Sequence, residues 1–257
     1  METGAITGYI DVAQLTLYLF WLFFFSLVVY LHRESKREGY PTVSHERLPP
    51  MNPEGLWGMP KPKVFLLPHG GGERYAPTGG GSDERPVAGV SYDGGAGSPL
   101  VPTGDPMVDG LGPAAWAMRS TEPDLATDGR AKIVPLRVAA DFNIAAEDDD
   151  PRGMPVVAAC GTEVGKVTEC WVDRAESLVR YLEVEPAGGG SRLLVPVPFS
   201  TISGGRVRVV SLFAPHFAKV PRTAHPDQVS LREEDQISGF FGGGHLYGSP
   251  ERLGPLV

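Results

Sequence analysis

The stretch Trp171–Glu185, WVDRAESLVRYLEVE, predicts the kind of fold that the larger part of this chain forms. Apolar residues flank the polar run DRAE, which is the pattern of two strands joined by a tight turn. With a strand period of two, a carboxylate, a guanidinium and three aliphatic side chains share one face: Glu176, Arg180, Leu178, Leu182 and Val184. The stretch therefore predicts a β-hairpin that carries opposite charges on its apolar side.

Short apolar segments on both sides of this hairpin continue the β pattern, and turns rich in Gly and Pro separate them. The predicted strands are Ile133–Val138, Pro155–Ala159, Val164–Asp173, Leu178–Glu185, Arg192–Pro198 and Val207–Leu212. Their number and spacing indicate a mainly-β domain, either a small antiparallel barrel or a sandwich.

One late helix is predicted after these strands. Ser230 is a good N-cap, and Glu233 three residues later completes a capping box. The run Gly242–Gly244 is expected to end the helix. Its apolar residues are expected to dock on the barrel: Leu231, Ile237, Phe240 and Phe241.

The other end of the chain predicts a single membrane span. Val12–Leu31 is apolar all round and contains no Asp, Glu, Lys, Arg or His. At ~1.5 Å per residue it would be ~30 Å long as a helix, the hydrocarbon thickness of a bilayer. A buried helix of a soluble domain and a cleaved signal peptide are the alternatives, although a basic n-region and a cleavage site are both missing.

The charges that follow the span predict its direction. Arg33, Lys36 and Arg37 come directly after it, and the positive-inside rule places such residues in the cytoplasm. Residues 1–11 are then a periplasmic N-terminus, and the main domain is cytoplasmic.

Residues 32–114 show little periodicity and many prolines and glycines, with one short candidate strand at Val64–Leu67. So long a segment without regular structure is uncommon inside a compact domain. Its aromatic and aliphatic content favours a segment that lies extended on partner subunits over a disordered one. Residues 115–257 then form the cytoplasmic domain.

The net charge and the motifs of the chain argue against several functional classes. The net charge of −8 makes nucleic acid an unsuitable partner. The cysteines, Cys160 and Cys170, form no CxxC pair, and the histidines lack the spacing of a metal site. The chain has no Gly-x-Ser-x-Gly elbow, and the glycine run in GTEVGKV departs from a phosphate loop. Nothing in these patterns supports an enzyme.

The charged residues of the hairpin admit two interpretations. Glu176 and Arg180 form either an ordinary surface ion pair, which contributes little to stability, or part of a face that a partner protein covers. In the second case Glu176, balanced between burial, Arg180 and Asp173, would be suited to a proton relay.

Seven longer motifs carry a resemblance to a known family. They are REGYP (37–41), PKPKVFLLPHG (60–70), PTGDPMVDGLGPAAW (102–116), KIVPLRVAADF (132–142), WVDRAE (171–176), RYLEVE (180–185) and EEDQISGFFGGGHLY (233–247). With them the chain resembles, from end to end, the H subunit of the purple-bacterial photosynthetic reaction centre. Its last part resembles the PRC-barrel.

The resemblance implies a structural subunit of the bacterial inner, intracytoplasmic membrane and not an enzyme. Its helix would pack beside the L and M subunits, and its barrel would cap their cytoplasmic face and shield the quinone sites. It would support assembly and help conduct protons to the secondary quinone during light-driven cyclic electron transport. Light-harvesting antenna and membrane lipids are further expected partners.

The resemblance implies no cofactor bound by this chain alone. Bacteriochlorophyll, bacteriopheophytin, quinones and non-haem iron would sit on L and M. A membrane-tethered PRC-barrel adaptor that binds other proteins is the alternative function, and a membrane-anchored enzyme is a third.

Site residues follow from the same resemblance. Glu176 matches the family's buried carboxylate near the secondary quinone, Asp173 and Arg180 match its neighbours, and Lys132 matches a basic residue near the surface entrance. The sequence departs from the family upstream of Lys132, where an Asp and a His-x-His pair are replaced by Ala126, Asp128 and Arg130. Asp128 is therefore the expected surface proton acceptor, and the loss of the histidines implies weaker inhibition by zinc.

Overall fold

The structure is a computed structural model that describes residues 4, 9, 11–37, 58–76, 83, 85–94 and 98–253. It divides the chain into two compact units, Met1–Glu84 and Arg85–Val257. Most of the predicted periplasmic N-terminus, residues 38–41 of the REGYP motif and Trp57 lie outside the described residues.

The first unit begins with the long helix α1, Val12–Ser35. The Asp11 carboxylate caps it by accepting a hydrogen bond from the Gln14 N–H at 2.7 Å. The helix has 24 residues, about 36 Å at ~1.5 Å per residue. Its apolar window is long enough to cross a membrane, and none of that window is buried inside the chain. The predicted span is confirmed as a helix, which continues for one further turn with His32 and Arg33.

A small hairpin completes the described part of the first unit. Strand β1, Lys63–Leu66, pairs antiparallel with β2, Glu73–Ala76. Strand β1 confirms the predicted Val64–Leu67, one residue earlier, whereas β2 was not predicted from the sequence. All residues of both strands are exposed, and this is why neither shows the alternation that marks a half-buried strand.

The second unit starts earlier than the predicted domain boundary at residue 115. Its first part holds a second short hairpin, β3 (Gly89–Ser91) with β4 (Leu100–Pro102). Met107, Leu111 and Ala114 are buried. Burial of these apolar side chains ties the region before residue 115 to the second unit.

The main sheet of the second unit has seven strands. They are β5 (Ile133–Pro135), β6 (Pro155–Val157), β7 (Glu163–Asp173), β8 (Leu178–Pro186), β9 (Leu193–Pro196), β10 (Ser200–Ser203) and β11 (Arg206–Val209). The order is β10-β11-β6-β7-β8-β9, with β5 also paired to β7. Every pair is antiparallel except β11 with β6.

All six predicted strands are present: β7 and β8 are each one residue longer than predicted, the other four are shortened or shifted, and β10 is an addition. Strand β5 ends at Pro135 because the Val138 N–H turns back to the Pro135 carbonyl at 2.9 Å. The pairing order leaves β9 and β10 at the two edges of the sheet, so hydrogen bonds between these strands do not close it into a full barrel.

The core lies between this sheet and helix α2, Leu231–Tyr247. The predicted capping box is confirmed: the Ser230 hydroxyl accepts from the Glu233 N–H at 3.2 Å, and the Glu233 carboxylate accepts from the Ser230 N–H at 2.8 Å. Ile237, Phe240 and Phe241 are buried on the core side, as predicted.

The predicted end of α2 at Gly242–Gly244 is wrong, because these glycines lie inside the helix. A Cβ atom on Gly243 would lie 2.6 Å from the Ala114 Cβ, and one on Gly244 would lie 2.6 Å from the Ser211 carbonyl oxygen. The glycines therefore serve the close approach of α2 to its neighbours and do not stop the helix.

Candidate functional site

The turn of the β7–β8 hairpin is built around Asp173, the last residue of β7. Its carboxylate accepts hydrogen bonds from the backbone N–H groups of Ala175 and Glu176, both at 3.0 Å. The Ser177 N–H closes the turn on the Asp173 carbonyl at 2.8 Å, and Ser177 adopts a left-handed φ of 56°. Glu176 thus lies in the turn and not on a strand.

A bulge at Arg180 changes the register of β8. Trp171 pairs with Tyr181, but the next pair is Val172 with Val179, which leaves Arg180 as the extra residue. The prediction that Glu176, Leu178, Arg180, Leu182 and Val184 share one face of a strand is therefore wrong. Leu178 is 40% exposed, whereas Leu182 beyond the bulge is fully buried.

Two cations bridge two carboxylates at this turn. Lys132 Nζ lies 3.5 Å from Asp173 Oδ2 and 3.5 Å from Glu176 Oε1. Arg180 Nε lies 3.4 Å from Asp173 Oδ2, and Arg180 Nη2 lies 3.3 Å from Glu176 Oε2. We call these four residues the turn cluster. The structure thus brings together four of the five predicted site residues.

The two carboxylates of the turn cluster differ in exposure. The Asp173 side chain is 0% exposed and that of Glu176 is 48% exposed. In the chain by itself Asp173 is the buried acid, whereas the resemblance assigned burial to Glu176. The two carboxylates thus share the same two cations but differ in their access to solvent.

Lys132 is positioned by β5, whose first residue, Ile133, pairs with Asp173. Burial by itself lowers the pKa of Lys132, but the charge and hydrogen bond of Asp173 outweigh it, and Asp124 and Glu176 add to the effect. The pKa of Lys132 is therefore raised, and the side chain stays positively charged at neutral pH.

Asp128, the fifth predicted residue, lies beside the turn cluster and pairs with other groups. Its carboxylate contacts Arg130 Nη2 at 2.7 Å and Arg174 Nη2 at 2.6 Å, and Arg174 belongs to the hairpin turn. The backbone N–H of Arg130 and the two guanidinium groups hold the pKa of Asp128 far below its usual range. Asp128 is thus ionised at neutral pH and holds a proton only weakly.

Two known protein families match parts of this chain. The family described as photosynthetic reaction centre, H-chain N-terminal region, matches residues 4–138, just over half of the chain. The chain belongs to the photosynthetic reaction centre H-chain family. The PRC-barrel domain family matches residues 144–212. Lys132 and Asp128 of this H chain fall in the first match, and the rest of the turn cluster falls in the second.

Family membership fixes the general role of the H chain. It is a structural subunit of a photosynthetic reaction centre, it associates with other reaction-centre subunits, and α1 is consistent with membrane anchoring. The PRC-barrel match covers strands β6 to β11, so the mainly-β domain of the predicted fold class is confirmed.

Glu234 is a candidate proton-holding residue that the sequence did not reveal. It lies on α2 and accepts a hydrogen bond from the Tyr181 hydroxyl at 3.1 Å. Burial raises the pKa of Glu234, although the Tyr181 hydrogen bond and the charges of Arg180 and Arg119 oppose it. The sequence did not single out Glu234, because the adjacent Glu233 already supplies the acidic residue of the capping box.

A second buried carboxylate of the H chain, Glu183 on β8, has a structural character. It accepts hydrogen bonds from Trp171 Nε1 at 2.9 Å, Arg192 Nη1 at 2.7 Å and Arg137 Nη1 at 3.2 Å. Burial alone would raise the pKa of Glu183, but these donors outweigh it and the pKa is lowered. Glu183 is therefore a fixed negative charge and not a proton carrier.

Within the described ranges, no group of three or more His, Cys, Asp or Glu side chains could hold a metal ion. Cys160 is exposed, Cys170 is buried, and both are free thiols.

Proposed function

We propose that this H chain caps the cytoplasmic face of the L and M subunits, shields the quinone sites, supports assembly and helps conduct protons to the secondary quinone. Membership of the H-chain family supports the structural part of the proposal. The observation that carries the proton part is the pairing of the buried Asp173 and the accessible Glu176 through the same two cations, Lys132 and Arg180.

Quinone reduction to quinol takes up protons as well as electrons. A site covered by protein can receive those protons only through titratable side chains and ordered water. Glu176 lies at the tip of the hairpin with about half of its side chain accessible. This accessibility supports a role in which Glu176 faces a partner subunit and passes a proton across that contact.

The cations of the turn cluster hold its two carboxylates together. Lys132 and Arg180 each contact both Asp173 and Glu176, so Asp173 would keep two positive neighbours while Glu176 takes part in proton transfer. The proposed relay therefore works through Glu176, with Asp173 as its buried partner.

The upstream steps belong to Asp128 and Glu234. Asp128 remains the proposed surface acceptor, and Arg130 and Arg174 hold its pKa low, so it stays ionised at neutral pH and does not store a proton. Glu234, with its raised pKa, would hold a proton longer, and it interacts electrostatically with Arg180 of the turn cluster.

We also propose how the chain is oriented in the membrane and which molecules surround it. The basic residues after α1 favour a periplasmic N-terminus and a cytoplasmic main domain. Residues 32–114 would lie across L and M, with antenna and lipids around the complex. L and M would hold the bacteriochlorophyll, bacteriopheophytin, quinones and non-haem iron.

The test is Glu176→Gln in the intact complex. We expect the proton-coupled second electron transfer to the secondary quinone to slow by about tenfold or more, because a general acid–base group is removed. Primary charge separation should be unchanged, since it needs no proton. Both rates are measured by flash-induced absorbance changes.

Glu185→Gln is the matched control, because Glu185 is an exposed carboxylate on the same hairpin. It should leave both rates unchanged. Unaltered second-electron kinetics in Glu176→Gln would contradict the role of Glu176. If the chain instead purifies without a pigment complex that absorbs in the near infrared, the adaptor function replaces the reaction-centre role.

A further inference from the structure

A pocket of about 480 Å³ lies beside the C-terminal part of α1. One wall is the helix itself, with Ser26, Val29, Tyr30 and Arg33. The other wall is the segment that contains Pro60 and Lys61. Both walls belong to the first unit of the chain.

The helix wall changes in chemistry along its length. Val29 and Tyr30 each lie three or four residues from both Ser26 and Arg33, which places the four residues on one helix face. The Ser26 hydroxyl is already bonded to the Leu22 carbonyl at 2.8 Å. From the middle of α1 outward, the wall is therefore aliphatic, then aromatic, then cationic.

The second wall is fixed to the helix by long side chains. The Arg37 guanidinium donates to the Lys61 carbonyl. Lys63 Nζ lies 3.1 Å from Glu34 Oε2, and Lys36 Nζ donates to the Gly58 carbonyl at 3.2 Å. The Lys36 side chain is buried. These contacts hold the two walls of the pocket together.

The acidic side chain at the pocket is paired with basic groups, whereas two of the basic side chains are not paired with an acid in the described ranges. Glu34 is neutralised by Arg37, whose Nε lies 2.7 Å away, and by Lys63. Within the described part of the chain, Arg33 and Lys61 have no ion-pair partner, and both are exposed. Two cations therefore face the same opening, and neither has an ion-pair partner among the residues that the structure describes.

We propose that this pocket binds the phosphodiester of an anionic membrane phospholipid. The phosphate would lie between Arg33 and Lys61, and one acyl chain would follow Val29 and Ser26 toward the bilayer. Basic pockets at the ends of membrane helices recognise anionic headgroups in this way. Tyr30, 57% exposed, suits the interface between headgroup and hydrocarbon. The inference rests on the proposed membrane span of α1.

The experiment measures lipid binding to the full chain in detergent by native mass spectrometry. The probes are phosphatidylglycerol, zwitterionic phosphatidylcholine and inorganic phosphate. We expect a preference for phosphatidylglycerol that Arg33→Gln/Lys61→Gln weakens by about 30-fold, the effect of two basic residues near an anionic headgroup. Arg33→Lys/Lys61→Arg should keep the preference because it retains both charges.

Arg206→Gln/Arg208→Gln is the control, since it removes the same charge from exposed positions on β11. It should bind phosphatidylglycerol as the unchanged chain does. Equal binding of both phospholipids, or an unaltered preference in Arg33→Gln/Lys61→Gln, would overturn the proposal. Displacement of the lipid by inorganic phosphate at similar concentration would also overturn it, because the site would then recognise phosphate alone.

Membrane fractionation separates this inference from the proposed span. If α1 spans the membrane but the pocket does not bind lipid, the Arg33→Gln/Lys61→Gln and Arg33→Lys/Lys61→Arg variants stay in the membrane fraction after a carbonate wash. Release of the unchanged chain by that wash would contradict the span itself.

Discussion

At the turn of the β7–β8 hairpin, two carboxylates three residues apart meet different surroundings. Asp173 is fully buried because it organises the turn, accepting two backbone N–H groups and two cations. Glu176 shares those cations but projects from the turn and remains accessible. The position of an acid relative to the turn therefore decides its burial.

Glu183 gives a residue-scale prediction about stability. Glu183→Gln should lower the free energy of unfolding by about 2 kcal/mol at pH 7, because Arg137 and Arg192 lose their shared counter-charge. Chemical denaturation followed by circular dichroism measures the loss. Glu185→Gln, an exposed change on the same strand, should stay within about 0.5 kcal/mol of the unchanged chain.

The same variant has a defined pH dependence. The pKa of Glu183 is lower in the folded chain than in the unfolded chain, where it is about 4.3. Its contribution is fully present above that value and is lost as the pH falls through the folded pKa. The difference between Glu183→Gln and the unchanged chain should therefore shrink below about pH 4. A constant difference from pH 7 to pH 3 would contradict the assignment.

At the scale of the elements, packing decides where α2 ends. Gly243 and Gly244 would be expected to weaken a helix, because glycine loses more backbone entropy than alanine. Here the absence of a side chain lets α2 approach Ala114, the Ser211 backbone and the Leu212 side chain. The tertiary contact outweighs the local preference, and the helix continues to Tyr247.

Gly244→Ala tests this explanation. Helix propensity alone would stabilise the variant by about 1 kcal/mol, but the added Cβ would lie 2.6 Å from both the Ser211 carbonyl oxygen and Leu212 Cδ2. We expect a net loss of about 1–3 kcal/mol in thermal or chemical unfolding. Gly188→Ala, which has open space around it, is the control. A more stable Gly244→Ala would show that α2 is not held by close packing there.

At the scale of the whole molecule, the chain joins an exposed apolar helix to a compact second unit. Among the described residues, every member of the main buried apolar cluster lies between Met107 and Phe241. We therefore expect the fragment Arg85–Val257 to fold alone, with a melting temperature within about 4 °C of the same unit in the full chain. Scanning calorimetry tests this. A fragment without a cooperative transition would show that the first unit supplies part of the core.

The sequence by itself determined the membrane-length helix, the six strands, the start of α2 and the family. These features depend on local periodicity, caps and contiguous motifs, which neighbouring residues define. Only the tertiary structure decided that Asp173 and not Glu176 is buried in the chain alone, and that a bulge at Arg180 ends the predicted face.

The tertiary structure also decided the charge partners. Glu183 pairs with Arg137, 46 residues away, and Glu234 of α2 meets Tyr181 of β8 across 53 residues. Burial and ion pairing depend on which distant segments come together, and a strand or helix pattern carries no information about that. This is why the sequence identified the family and the hairpin, whereas the fold had to show which acids are buried in ion pairs and which are accessible.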